Sequence, residues 1–155
     1  MQDTAMVRNV ALIGHGNSGK TSLAEAMLYT AGKINRLGKV DDGSSTMDFD
    51  DEEISRTISI SSSFNNYKWK KHDVYLIDTP GEDSFFNETI FAAHVCDNAL
   101  FVIGAVTGVR GQTRKFADLI ADGAVPSMIV ITNIDRERAN FFQTIDQIKD
   151  QLPLK

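Results

Sequence analysis

Residues 12–22 read LIGHGNSGKTS, and the fold turns on them. An apolar run, Val7–Ile13, comes immediately before and reads as a strand. Gly14, four further residues and then Gly19-Lys20-Thr21 satisfy the spacing G-x-x-x-x-G-K-[ST]. A helical pattern follows over Gly19–Ala31, with Leu23, Met27 and Ala31 on one face and Gly32 as a stop. Strand, glycine loop and helix are the context that this spacing needs. Glycines let the backbone of Gly16, Asn17, Ser18 and Gly19 turn tightly and bring N–H groups close to phosphate oxygens. The start of the helix, at Lys20, Thr21 and Ser22, adds partial positive charge. Lys20 is placed to reach terminal phosphates, and the Thr21 hydroxyl to hold Mg²⁺. His15 sits loosely inside the loop, facing phosphate or packing away from it. Asn17 offers an amide oxygen near the phosphates or serves simply as a turn residue.

Outward from this loop, apolar runs alternate with helical patterns. Further strands are expected at Ile58–Tyr67, Val74–Ile77, Ala99–Gly104 and Ser127–Thr132. Helices are expected at Gln112–Asp122 and Ala139–Gln151, the second with Phe141, Ile145, Ile148 and Leu152 on one side. Such alternation implies an α/β fold with a mostly parallel sheet covered on both faces. Two segments do not fit. Lys33–Arg56 is long, polar and poorly periodic, as functional loops often are. NNYKWKKH, residues 65–72, reads as a hairpin tip whose basic and aromatic residues suit a solvated turn better than RNA.

The totals narrow the class. The chain has 155 residues and a formal charge of −5, which gives no general attraction to nucleic acid. Cys96 is the only cysteine, so no internal disulfide forms, and its apolar neighbours suggest a buried thiol. No apolar run approaches the roughly 18 residues needed to span a bilayer, and the N-terminus lacks a secretory core. A cytosolic protein without membrane contact is the expectation.

Asp78 ends an apolar strand in LIDTPG, suiting a partner of Mg²⁺ through water. Asp-Thr-Pro-Gly also matches the D-x-x-G element of GTP-binding proteins, in which Gly81 offers its N–H to the γ-phosphate. Together RNVALIGHGNSGKTS, GKVDDGSSTMDF, the Ile-Ser-Ile of SRTISI, LIDTPG and IDRERANF resemble the N-terminal part of the GTPase domain of translational elongation factor G. The resemblance runs from about residue 8 to residue 150. It implies a Ras-like P-loop fold with one antiparallel edge strand, cut before its last strand and helix. Residues 1–155 would then be a partial G domain of a larger multidomain protein. It also implies GTP or GDP and Mg²⁺ as ligands, and the ribosome as partner of the full-length protein. Lys33–Arg56 becomes the first switch and the residues after Gly81 the second, both ordered by the γ-phosphate and metal. With its last strand missing, Ser127–Thr132 would lie near an open sheet edge, and self-association is expected.

Three departures from the family pattern accompany the matches. Ser59 stands where the metal-binding threonine of the first switch is expected, and Thr57 replaces a glycine. The base-reading Asn-Lys-x-Asp has become Thr132-Asn133-Ile134-Asp135. Asp135 can still accept from guanine N1–H and N2–H₂, which adenine lacks. The substituted positions should weaken affinity by about 1–3 kcal/mol, unless Thr132 keeps its bond. Last, Glu82 occupies the position of the catalytic histidine. A carboxylate about 5 Å from a phosphate charge meets a repulsion of roughly 3 kcal/mol at an effective dielectric near 20. It could instead act as a base toward water, or turn outward. Lys20 and Gly81 complete the expected catalytic set. The reading is a GTPase that switches ribosome contacts. The alternative is a nucleotide-dependent switch with little hydrolysis, and Asp135 disfavours an ATP-using phosphotransferase.

Overall fold

The computed structural model describes residues 4–40, 42–47 and 59–153. Five strands form one sheet in the order β2-β3-β1-β4-β5. They are β1 (Val7–Ile13), β2 (Ser63–Trp69), β3 (His72–Asp78), β4 (Asn98–Gly104) and β5 (Ser127–Thr132). β1 pairs in parallel with β3 and β4, and β4 in parallel with β5. Only β2 runs antiparallel, paired to β3 from Ser63↔Asp78 to Trp69↔His72. The helices are α1 (Lys20–Thr30), α2 (Phe86–Val95), α3 (Gly111–Asp122) and α4 (Phe141–Gln151).

The central strands explain the two-sided core. Successive side chains along a strand point to opposite faces. Ala11 and Ile13 of β1 join Phe101 and Ile103 of β4 in one buried cluster, with Ala92 and Ala93 of α2 and Phe116, Ala117 and Ile120 of α3. Leu12 and Val102 face the other way, onto Ala24 and Leu28 of α1 and onto Met47, Tyr67, Val74 and Leu76. Burying such side chains stabilises the fold by about 1.5–3 kcal/mol each.

Several expectations shift. Ala24 and Leu28 form the fully buried stripe of α1, with Leu23 and Met27 packed beside them. The second strand is Ser63–Trp69 rather than Ile58–Tyr67; Ile58, like the rest of residues 48–58, lies outside the described residues. Most of NNYKWKKH belongs to the strands themselves, and only Lys70 and Lys71 turn, Lys70 with φ 55°. Helix α2 was not expected from sequence. Phe141 is 42% exposed and does not share the burial of Leu152. Cys96 is half-buried against the first cluster, and burial pushes its thiol pKa up. β5 is an edge strand, with Met128 66% exposed.

Candidate nucleotide site

The parallel strands β1, β3, β4 and β5 deliver their C-terminal ends to one side of the sheet, where ligands of open α/β folds bind. A cleft of about 630 Å³ opens there. Gly16, Asn17, Gly19, Lys20, Thr21 and Ser22 line it from the loop after β1. Ser59, Gly81 and Glu82 line it from the middle of the chain, and Asn133 from the turn after β5.

The loop is built by backbone geometry. Asn17 and Gly19 take positive φ, 60° and 84°, and Ser18 N–H donates to the His15 carbonyl at 3.2 Å. Lys20 opens α1 and is only 6% exposed. Its Nζ donates to the His15 carbonyl at 3.0 Å. Burial pulls its pKa down to about 8, against the opposing pull of the Asp78 and Glu82 carboxylates. Gly81 presses directly on this group. A Cβ added there would lie 2.5 Å from the Gly16 nitrogen and 2.6 Å from Lys20 Nζ. No larger residue fits at 81 without moving the phosphate loop.

Thr21 lies one residue further into α1. Its hydroxyl donates to Asp78 Oδ2 at 2.6 Å and stands 3.5 Å from Ser59 Oγ. Asp78, at the end of β3, is 1% exposed. Thus the three residues expected at the metal converge although they are far apart in sequence. Two hydroxyls and a carboxylate are hard oxygen donors suited to Mg²⁺, which keeps several waters and takes few protein ligands.

Glu82 extends over Gly16, so that its Oε1 stands where a side chain on Gly16 would begin. The neighbouring Gly81 carbonyl accepts from Gln112 Nε2 of α3. Lys115 of α3 pairs with Asp83 at 3.1 Å and lies 4.0 Å above the Phe86 ring. The start of α3 therefore braces the segment that carries Glu82.

His15 does not face the cleft. It is 4% exposed, and its Nδ1–H donates to the Gly16 carbonyl at 2.7 Å. Nε2 then accepts from the Thr107 hydroxyl at 2.9 Å. Burial, more than the nearby Lys20 and Arg110 charges, lowers its pKa and keeps the ring neutral. Ser18 is fully buried. Thr132 Oγ1 donates to the Ser18 carbonyl at 2.5 Å, and Asn133 Nδ2 to the Asn17 carbonyl at 3.4 Å. Both side chains of the altered base-reading motif therefore touch the phosphate loop. Asp135 is exposed and is not among the residues lining the cleft. Arg136, Glu137 and Arg138 line it instead, together with Val40, Val106 and Thr107. None of these six was singled out from sequence. For Val106 and Thr107 a signal existed, since they follow the C-terminal end of β4, beside β1.

A phosphate loop, a hydroxyl–carboxylate pair and a pressed-in glycine at strand ends define a P-loop nucleotide-binding domain. Comparison with known proteins narrows this. Residues 5–154 match the family model of the elongation factor Tu GTP binding domain, and the chain belongs to that family. It is 38% identical over 149 residues to mitochondrial ribosome-releasing factor 2 of Yarrowia lipolytica, covering 96% of this chain and 19% of the relative. It is 37% identical to elongation factor G 2 of Vibrio vulnificus, covering 98% and 22%. A crystal structure of a Thermus thermophilus protein superposes with a TM-score of 0.87 at 32% identity, over 94% of this chain and 22% of that one. The chain thus spans about a fifth of the length of the relatives that it matches, and its likeness is to the GTP-binding domain of elongation-factor-G-like proteins.

Proposed function

We propose that this domain hydrolyses GTP to GDP and phosphate, and that the change of nucleotide alters a translation factor's contacts with the ribosome. The observation that carries the reading is the convergence of Thr21, Asp78 and Ser59 beside the buried Lys20. In this reading Lys20 and the Gly81 N–H hold the γ-phosphate, while the loop N–H groups of Gly16–Thr21 hold the phosphates behind it. Thr21 and Ser59 would hold Mg²⁺, with Asp78 behind Thr21 as a partner through water, and a metal there would supply positive charge against the phosphates. Asp135 reads the purine, with Thr132 and Asn133 fixing the loop behind it. Relatives named elongation factor and ribosome-releasing factor support the ribosome as partner. A cytoplasmic setting belongs to the same reading, and no helix among the described residues is long and apolar enough to cross a membrane.

A slower variant of this function has its own support. Glu82 lies over Gly16, with its negative charge beside the expected γ-phosphate position. A repulsion of roughly 3 kcal/mol there slows hydrolysis about a hundredfold. Phosphate release from GTP, with and without ribosomes, tests both readings. Faster single-turnover release by Glu82→Gln supports repulsion, whereas lost activity in Glu82→Gln makes Glu82 a base. No stimulation by ribosomes under any condition would defeat the proposal.

A further inference from the structure

Gly14, Gly16 and Gly81 lack a side chain for different reasons. A Cβ on Gly14 would strike the Val102 carbonyl oxygen, and one on Gly81 would lie 2.5 Å from the Gly16 nitrogen. Both would meet backbone, which cannot step aside. Gly16 differs. Its φ is not positive, unlike that of Gly19, so its conformation does not call for glycine. Chain neighbours aside, a Cβ there would meet no backbone atom closer than the Gly81 carbonyl oxygen at 3.8 Å. It would collide with one group, the Glu82 carboxylate, whose Oε1 takes its place and whose Cδ lies 3.4 Å away. The space left open at position 16 is therefore space that Glu82 occupies.

The root of that side chain is held. The Gly81 carbonyl accepts from Gln112 Nε2, the Glu82 carbonyl from the Phe85 N–H at 3.1 Å, and Asp83 pairs with Lys115 at 3.1 Å. With the backbone fixed on both sides, only rotation about its own side-chain bonds moves the Glu82 carboxylate. From its place over Gly16 this carboxylate, with that of Asp78, acts on the charge of Lys20, the group expected at the γ-phosphate. We propose that Gly16 is a specificity-determining residue of the nucleotide site: by carrying no side chain it admits the Glu82 carboxylate to the γ-phosphate end of the cleft, where like charge disfavours a triphosphate against a diphosphate. The proposal rests on the nucleotide reading given above. It concerns binding, and so holds whether Glu82 slows the attack of water or assists it. A diphosphate lacks the outermost charged group, so its nearest phosphate lies farther from Glu82 and meets less repulsion. Glu82 is exposed, so a methyl group at position 16 would turn its carboxylate outward to water rather than deeper into the protein.

The test is the ratio of the dissociation constant of a non-hydrolysable GTP analogue to that of GDP, measured by titration calorimetry with Mg²⁺ present. Damage to the loop that weakens both nucleotides alike cancels in this ratio. Glu82→Gln should lower it by about tenfold or more, and Gly16→Ala by about three- to tenfold, because there the charge is moved rather than removed. The two together should match Glu82→Gln alone within about twofold, since the displaced group is then neutral. Glu82→Asp leaves the loop untouched and keeps the charge, but draws it back by one methylene. It should lower the ratio in the same direction. An unchanged or raised ratio in Gly16→Ala, or full multiplication of its effect with that of Glu82→Gln, would overturn the proposal and leave the nucleotide reading intact. Should Gly16→Ala not fold, an unchanged or raised ratio in Glu82→Asp overturns it instead. Failure of the unaltered chain to bind either nucleotide would overturn both.

Discussion

The two ends of the cleft are built in opposite ways. At the phosphate end, Lys20, Ser18 and Asp78 are buried, and backbone groups fix the geometry. At the other end, Arg136 and Arg138 are exposed, with Asp135 exposed beside them outside the lining, and Asn133 and Arg138 hold φ of 55° and 69°. The phosphate loop itself, Gly14–Thr21, keeps its sequence pattern to the letter; the motif Thr132–Asp135 keeps one residue of its own. A grip made of N–H groups needs glycines at fixed places and tolerates little change. A reader made of side chains on a turn tolerates substitution, provided that the turn stays tied down. Here the Thr132 hydroxyl and the Asn133 amide provide that tie, both to carbonyls of the phosphate loop.

Changes at each end sharpen this contrast. Lys20→Ala should weaken triphosphate binding the most, by about a hundredfold from the loss of charged hydrogen bonds of roughly 3 kcal/mol; titration calorimetry measures it. Asp135→Asn should come next: on the proposed reading, in which the exposed carboxylate would read guanine donors in partial contact with water, it cuts the preference for GTP over ATP by about tenfold in a competition assay. An unchanged preference would mean that this end does not read the base. The pH profile of affinity gives a similar factor. Lys20 has a folded pKa of about 8, below its ordinary value. In the free protein its ammonium is therefore complete below that pH and is lost above it. Nucleotide affinity should be level from pH 6 to 7.5 and fall toward pH 9, by about tenfold per unit at most. Thr132→Val should have the smallest effect. It frees the Ser18 carbonyl at a cost of about 1 kcal/mol, or roughly fivefold in affinity for every nucleotide alike. If instead it altered base preference alone, the two ends would be independent.

The sequence made the phosphate end and most of the sheet legible for one reason. Both depend on local order: a glycine spacing at Gly14–Thr21, and short apolar runs such as Ala99–Gly104. What escaped depends on partners distant in the chain. Glu25, between Ala24 and Ala26, looks like a residue on a solvated helix face, because its ligands are loop N–H and hydroxyl groups. Helix α2 follows DTPGEDSF directly, and its buried residues, Thr89, Ala92 and Ala93, are too small or too polar to mark an apolar stripe. Phe141 fits the spacing of its helix yet borders an open groove with Ile129 and Ile131 of the edge strand. Position in the loop alone sets His15 near phosphate. Only the tertiary contact with Thr107 turns it inward.

Trp69, the sole tryptophan of the chain, pairs with His72 at the end of the hairpin opposite to the Ser63–Asp78 pair. Six residues of extended strand separate it from Asp78, about 20 Å. The residue is 47% exposed. The molecule therefore carries one tryptophan emitter, excitable apart from its three tyrosines and remote from the Asp78 carboxylate. Emission from it gives a distance-dependent energy-transfer signal toward a labelled nucleotide without an engineered dye on the protein.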